Sequence, residues 1–165
     1  MKRLRNRLES IRPDEDGEYR YEGVLTGAED APRGLFWGLA AFALLLVLLS
    51  GCLSTPGTTG KPFVIIPYVA ELCGVCSVAM GLGKLGRDWS ALRDYILDYA
   101  KALPRRCLFA FTCALCGAAG ELFSVLQEKQ LGVPSAVYIA LRLLCALTLL
   151  LFRRRWLPIR WREQT

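Results

Sequence analysis

The sequence predicts an all-α fold, an integral membrane four-helix bundle with one interfacial amphipathic helix. Three observations lead there. Four apolar runs of about 20 residues each, enough to cross a bilayer core, occupy most of positions 34–156. Short polar turns join the first run to the second and the third to the fourth, which forces antiparallel hairpins. Lys and Arg gather at the ends of the runs and in alternate connecting segments, not in one patch.

Composition points the same way. Of 165 residues 53% are hydrophobic, the mean hydropathy of the whole chain is +0.31, and the second half is too apolar for an ordinary soluble domain. The net charge of +6 would suit nucleic acid if it formed one basic face. Spread over the ends of apolar runs it orients a membrane protein, and no nucleic-acid partner is expected. With no histidine, no nucleophile–base pair and no phosphate loop, the chain lacks the usual groups for hydrolysis or group transfer. No catalytic residue, cofactor or metal is therefore expected.

Residues 1–33 form a polar N-terminal segment with seven Lys/Arg and eight Asp/Glu, basic in MKRLRNRLESIR and acidic thereafter. Two readings stay open: a solvated, disordered terminus, or a basic helix whose Leu4, Leu8 and Ile11 face an anionic membrane surface. Tyr19–Val24 alternates like a short strand, without a visible partner. The first span, 34–53, carries no charge. Its end, Leu49-Ser50-Gly51-Cys52, has the letters of a lipoprotein cleavage box. A signal peptide, however, has a short basic head, not 33 polar residues with eight acids, so these are read as span-end residues.

The second span, 62–83, contains Pro67, which is expected to kink it just above Glu71. Gly81-Leu-Gly83-Lys-Leu-Gly86 fits G-x-G-x-x-G, yet it follows an apolar helix instead of a strand and reads as a helix end. Over 88–103 the residues Trp89, Leu92, Ile96, Tyr99 and Leu103 recur at steps of three and four, opened by Asp88 and closed before Pro104. This predicts a separate helix lying in the membrane interface, with docking to a partner as the alternative. The third span is 107–126 and the fourth 133–152, which together with the first two make a membrane domain over 34–156. The tail, 157–165, sets Trp161 between Arg160 and Arg162 as an interfacial anchor.

Lys and Arg number seven before the first span, six in the middle loop and five after the last, against one in each short turn. Both termini and the middle loop are therefore expected in the cytoplasm of a multi-pass cell-membrane protein.

The residues least explicable as decoration are the charges within the spans, because an unpaired charge at that depth costs several kcal/mol. Glu71 and Arg142 each lie nine residues in from the outer end of a span, roughly 13–14 Å deep at 1.5 Å per residue. They can meet at one level. Tyr68 and Tyr138 stand one turn outward of them, and Glu121 lies roughly 7–8 Å below the outer end of the third span. The set of Glu71, Arg142, Glu121, Tyr68 and Tyr138 reads either as a buried bridge that fixes helix register or as a polar cavity for a substrate or ion.

Cys73-Gly-Val-Cys76 and Cys113-Ala-Leu-Cys116 have zinc-like spacing, but both fall near mid-depth, where thiolates are poorly solvated. Small residues at four-residue steps, Ala70/Gly74, Ser77/Gly81, Cys113/Gly117 and Ala114/Ala118, explain these stretches as close helix contacts.

The succession Pro56-Gly57, Pro67-Tyr68, Leu92-Arg93-Asp94-Tyr95 and Leu103-Pro104-Arg105-Arg106 resembles uncharacterised small four-span integral membrane proteins of bacteria, over about residues 50–110. The resemblance implies a bacterial cytoplasmic membrane and carries no activity. The expected role is a non-enzymatic scaffold or a subunit of a larger assembly, with the lipid bilayer and a second copy or another membrane protein as partners. The alternatives are a small transporter or channel subunit using Glu71, Glu121 and Arg142, and a thiol-redox protein using Cys73, Cys76, Cys113 and Cys116.

Overall fold

A computed structural model describes residues 11–13, 19–21, 25–28, 31–55, 58, 60–86, 89, 92–129, 132–159 and 161–164. Four helices dominate it: α1 (Arg33–Gly51), α2 (Pro62–Leu85), α3 (Asp94–Glu128) and α4 (Val133–Trp156). All four are long and apolar enough to cross a membrane. Each packs on its sequence neighbours and α4 packs back on α1, so the bundle closes into a ring with α2 and α4 on its diagonal.

Local chemistry sets the helix ends. Proline stands in the first turn of α2 and of α4, where its missing N–H is not needed. After α2, Gly86 takes a positive φ of 72°, and Lys129 ends α3 in the left-handed region. Arg153, Arg154 and Arg155 occupy the last turn of α4, opposite in sign to the carbonyl end of the helix dipole.

Apart from the aromatic cluster at one end, the bundle exposes many large apolar side chains and sets several small ones between helices. Leu45, Ile66, Phe123, Leu126 and Leu147 are exposed, whereas Ala40, Ala43, Gly74, Ala110, Ala114 and Gly117 are buried. A bundle solvated by water does the reverse.

The separate interfacial helix expected over 88–103 is not what forms. Residues 92–93 belong to a strand, and from Asp94 one helix of 35 residues runs through Pro104 into the third apolar run. Proline inside a helix deprives the carbonyl four residues earlier of its donor, here that of Ala100. The Trp156 indole N–H supplies the missing bond, donating to Ala100 O at 3.1 Å. Leu97, Ala100 and Leu103 bury the amphipathic face against the bundle itself. At 1.5 Å per residue α3 is roughly 52 Å long, well beyond a hydrocarbon core of about 30 Å, so its first turns project from the apolar part.

Pro67 likewise leaves the Phe63 carbonyl without its helical donor while α2 continues through. That oxygen faces Gly120 of α3, where an added Cβ would lie 2.8 Å from it.

Three polar segments meet at one end of the bundle. Strands β3 (Leu25–Gly27), β4 (Leu92–Arg93) and β5 (Arg162–Gln164) form a small antiparallel sheet in the order β4-β3-β5. Beneath it Phe36, Trp89, Phe152, Trp156 and Trp161 pack ring against ring, with centroids 4.9–6.0 Å apart. The strand-like Tyr19–Tyr21 (β2) does find a partner, pairing antiparallel with Ile11–Pro13 (β1). The possible basic helix at the start of the chain falls largely on residues outside those described.

The Trp156 bond yields a test. Trp156→Phe keeps the ring but removes the donor, and we expect it to lower thermal stability in detergent micelles by about 1–3 kcal/mol. Pro104→Ala returns an N–H to Ala100 and is expected to recover most of that loss; equal effects of Pro104→Ala with and without Trp156 would contradict the assignment.

Candidate functional site

The site follows from register. α2 and α4 both begin at the same end of the bundle, at Pro62 and Val133, and Glu71 and Arg142 each lie nine residues further on. Equal rise along two helices places them at one level. Because α2 and α4 are diagonal, the long arginine side chain reaches across the centre, and its Nη1 forms an ion pair with Glu71 Oε2. Both residues are 0% exposed.

Each helix contributes to the enclosure. From α3, Gly117 leaves room for the guanidinium, since an added Cβ would overlap Nη2. One turn away on the same helix, the Cys113 carbonyl accepts a long hydrogen bond of 3.5 Å from Nη2. The Tyr68 and Tyr138 rings each lie 5.5 Å from the guanidinium carbon, a cation–π pair contributed by the two helices that carry the charges. From α1, Gly51 accepts the Tyr68 hydroxyl so closely that a Cβ there would overlap it. Below the pair, Cys145 Sγ approaches the Ala43 carbonyl at 3.7 Å, tying α4 to α1.

Glu121 occupies a different position. It sits on α3 one turn outward of Gly117, is 0% exposed, and neither carboxylate oxygen has a hydrogen-bond partner among the described residues. The Ser135 and Tyr138 hydroxyls on α4 are likewise buried without partners, and Tyr138 is within electrostatic reach of both Glu71 and Glu121. The nearest turn supplies a cation that goes elsewhere: Lys61 Nζ donates to Ser124 Oγ at 2.8 Å and pairs with Glu128 at 2.7 Å. That bridge closes the outer end of the α2–α3 pair.

The structure thus brings Glu71, Arg142, Tyr68 and Tyr138 into one contact set and places Glu121 just outward of it. Of the cysteine pairs, Cys113 enters it through its backbone carbonyl. Cys73 and Cys116 are exposed on the bundle surface, Cys76 and Cys113 are half-buried, and all four thiols are free. Among the described residues no three His, Cys, Asp or Glu side chains are arranged to hold a metal. Gly117 and Gly51 are the positions whose role here sequence reasoning did not anticipate. Gly117 was visible only as one of several small-residue steps.

An ion pair held by two rings and a glycine orients helices well, but its single cation is already committed. Gly117→Ala should therefore cost about 1–3 kcal/mol of thermal stability in micelles, because the guanidinium must move. Gly38→Ala, which has open space around it, should be neutral or slightly stabilising; equal effects at both positions would mean that Gly117 does not abut Arg142. Comparison with known proteins adds no relative, since no family model, curated protein or solved structure matches the chain.

Proposed function

We propose that this is a non-enzymatic integral membrane protein of the cell membrane, a scaffold or a subunit of a larger assembly, with both termini in the cytoplasm. One observation carries the reading: Arg142, the only cation inside the apolar runs, is spent on Glu71 in a fully buried contact enclosed by residues of all four helices. A charge pair of this kind contributes specificity of packing more than a site for turnover. Orientation rests on charge: the segments before the first span, between the second and third and after the fourth carry eighteen Lys and Arg residues in sequence, against two in the short turns. An apolar surface all round suits lipid and other membrane helices as partners, including a second copy.

A second reading, a small transporter or channel subunit, draws on Glu121, whose buried carboxylate has no hydrogen-bond partner among the described residues. Two assays on the same preparation separate the readings. Cross-linking in native membranes should give adducts heavier than the 18.4 kDa chain. Proteoliposomes should leak protons and monovalent cations no faster than protein-free vesicles. A flux abolished by Glu121→Gln or Glu71→Gln would replace the scaffold reading with the transporter, and monomer alone after cross-linking would remove it.

A further inference from the structure

A groove of about 390 Å³ opens on the outside of the bundle between α2 and α3, starting within a helical turn of Glu71 along α2. Its floor is made of Cys73, Gly74 and Ser77 of α2, and Phe109 of α3 forms the facing wall. The small residues at 73, 74 and 77 leave a trough along one helical turn, while Phe109 is 52% exposed beside it. Towards the end of the bundle that carries the sheet, the groove finishes at Arg105 and Arg106.

The two arginines are prepared differently. Arg106 is held in place: Nη1 donates to the Ser77 carbonyl at 2.9 Å, and its guanidinium carbon lies 5.9 Å from the Tyr99 ring centroid. Lys84 stacks on the same ring at 4.1 Å and donates to the Tyr99 hydroxyl at 3.0 Å, which places another cation on the ring that Arg106 faces. Arg105 is exposed, with no ion pair or hydrogen bond among the described residues. An apolar trough ending in basic residues at the level of a membrane interface matches an amphiphile with an anionic head.

We propose that this groove binds one anionic glycerophospholipid of the cytoplasmic leaflet, its phosphate on Arg105 and Arg106 and one acyl chain along Cys73, Gly74, Ser77 and Phe109. Guanidinium forks match phosphate oxygens, and a lipid with net negative charge is favoured over a zwitterionic one, whose own amine offsets the phosphate. This inference rests on the membrane placement proposed above.

The test uses the full chain, extracted in detergent and titrated with phosphatidylglycerol or phosphatidylcholine, with bound lipid counted by native mass spectrometry. One phosphatidylglycerol should be retained at least about fivefold more tightly than phosphatidylcholine, since each basic side chain contributes about a fivefold factor. Arg105→Gln, at an exposed position, should reduce that preference about fivefold. Cys73→Trp, also at an exposed position, should fill the trough and displace the lipid while leaving both arginines in place. Equal retention of the two lipids by the unaltered chain would overturn the proposal, as would a preference that survives both substitutions. A chain that stays in solution without detergent would instead overturn the membrane placement, so the two failures are distinguishable.

Discussion

The bundle is organised by one constraint: two charges of opposite sign on diagonal helices must find each other inside an apolar interior. Glu71 and Arg142 are both 0% exposed, and neither could remain there alone without several kcal/mol of penalty. Satisfying the pair fixes the relative level of α2 and α4. Because arginine spans the centre to do so, it also dictates what α3 can carry between them, which is glycine at position 117. The tyrosines one turn outward then close the space around the guanidinium, and Gly51 of α1 receives the hydroxyl of one of them. A single contact thus places demands on all four helices.

The same economy governs the prolines. A backbone carbonyl that loses its helical donor in a buried position costs free energy unless another donor meets it. At Pro104 the substitute is an indole N–H from α4, whereas at Pro67 the freed Phe63 carbonyl faces Gly120 of α3. Trp156 consequently has two duties. It satisfies Ala100 and stands among the aromatic rings that tie the bundle to the small sheet of polar segments.

How much of this was legible in the sequence depends on the range of the interaction. Four apolar runs with short turns specify four packed helices, since length and hydropathy are local properties and the hairpin links are too short for other arrangements. Counting nine residues from the starts of two spans was enough to put Glu71 and Arg142 at one level, and the structure does bring them together. The separate helix over 88–103 failed because Pro104 was read as a stop, a rule that assumes the freed carbonyl stays unpaired; its partner, Trp156, lies 56 residues away. The sheet of β3, β4 and β5 was invisible for a similar reason, as two-residue and three-residue strands leave no periodicity to read. Gly117 could be seen as small but not as the seat of a guanidinium, because that depends on which helix lies opposite.

The most direct test of the central claim is a double-mutant cycle at positions 71 and 142, read as thermal or denaturant unfolding in lipid bicelles. The account predicts that Arg142→Leu and Glu71→Leu each cost about 3–5 kcal/mol, because each strands one buried charge, and that the double variant costs far less than their sum. Strictly additive losses would contradict it and would mean that these two residues do not meet in the folded chain.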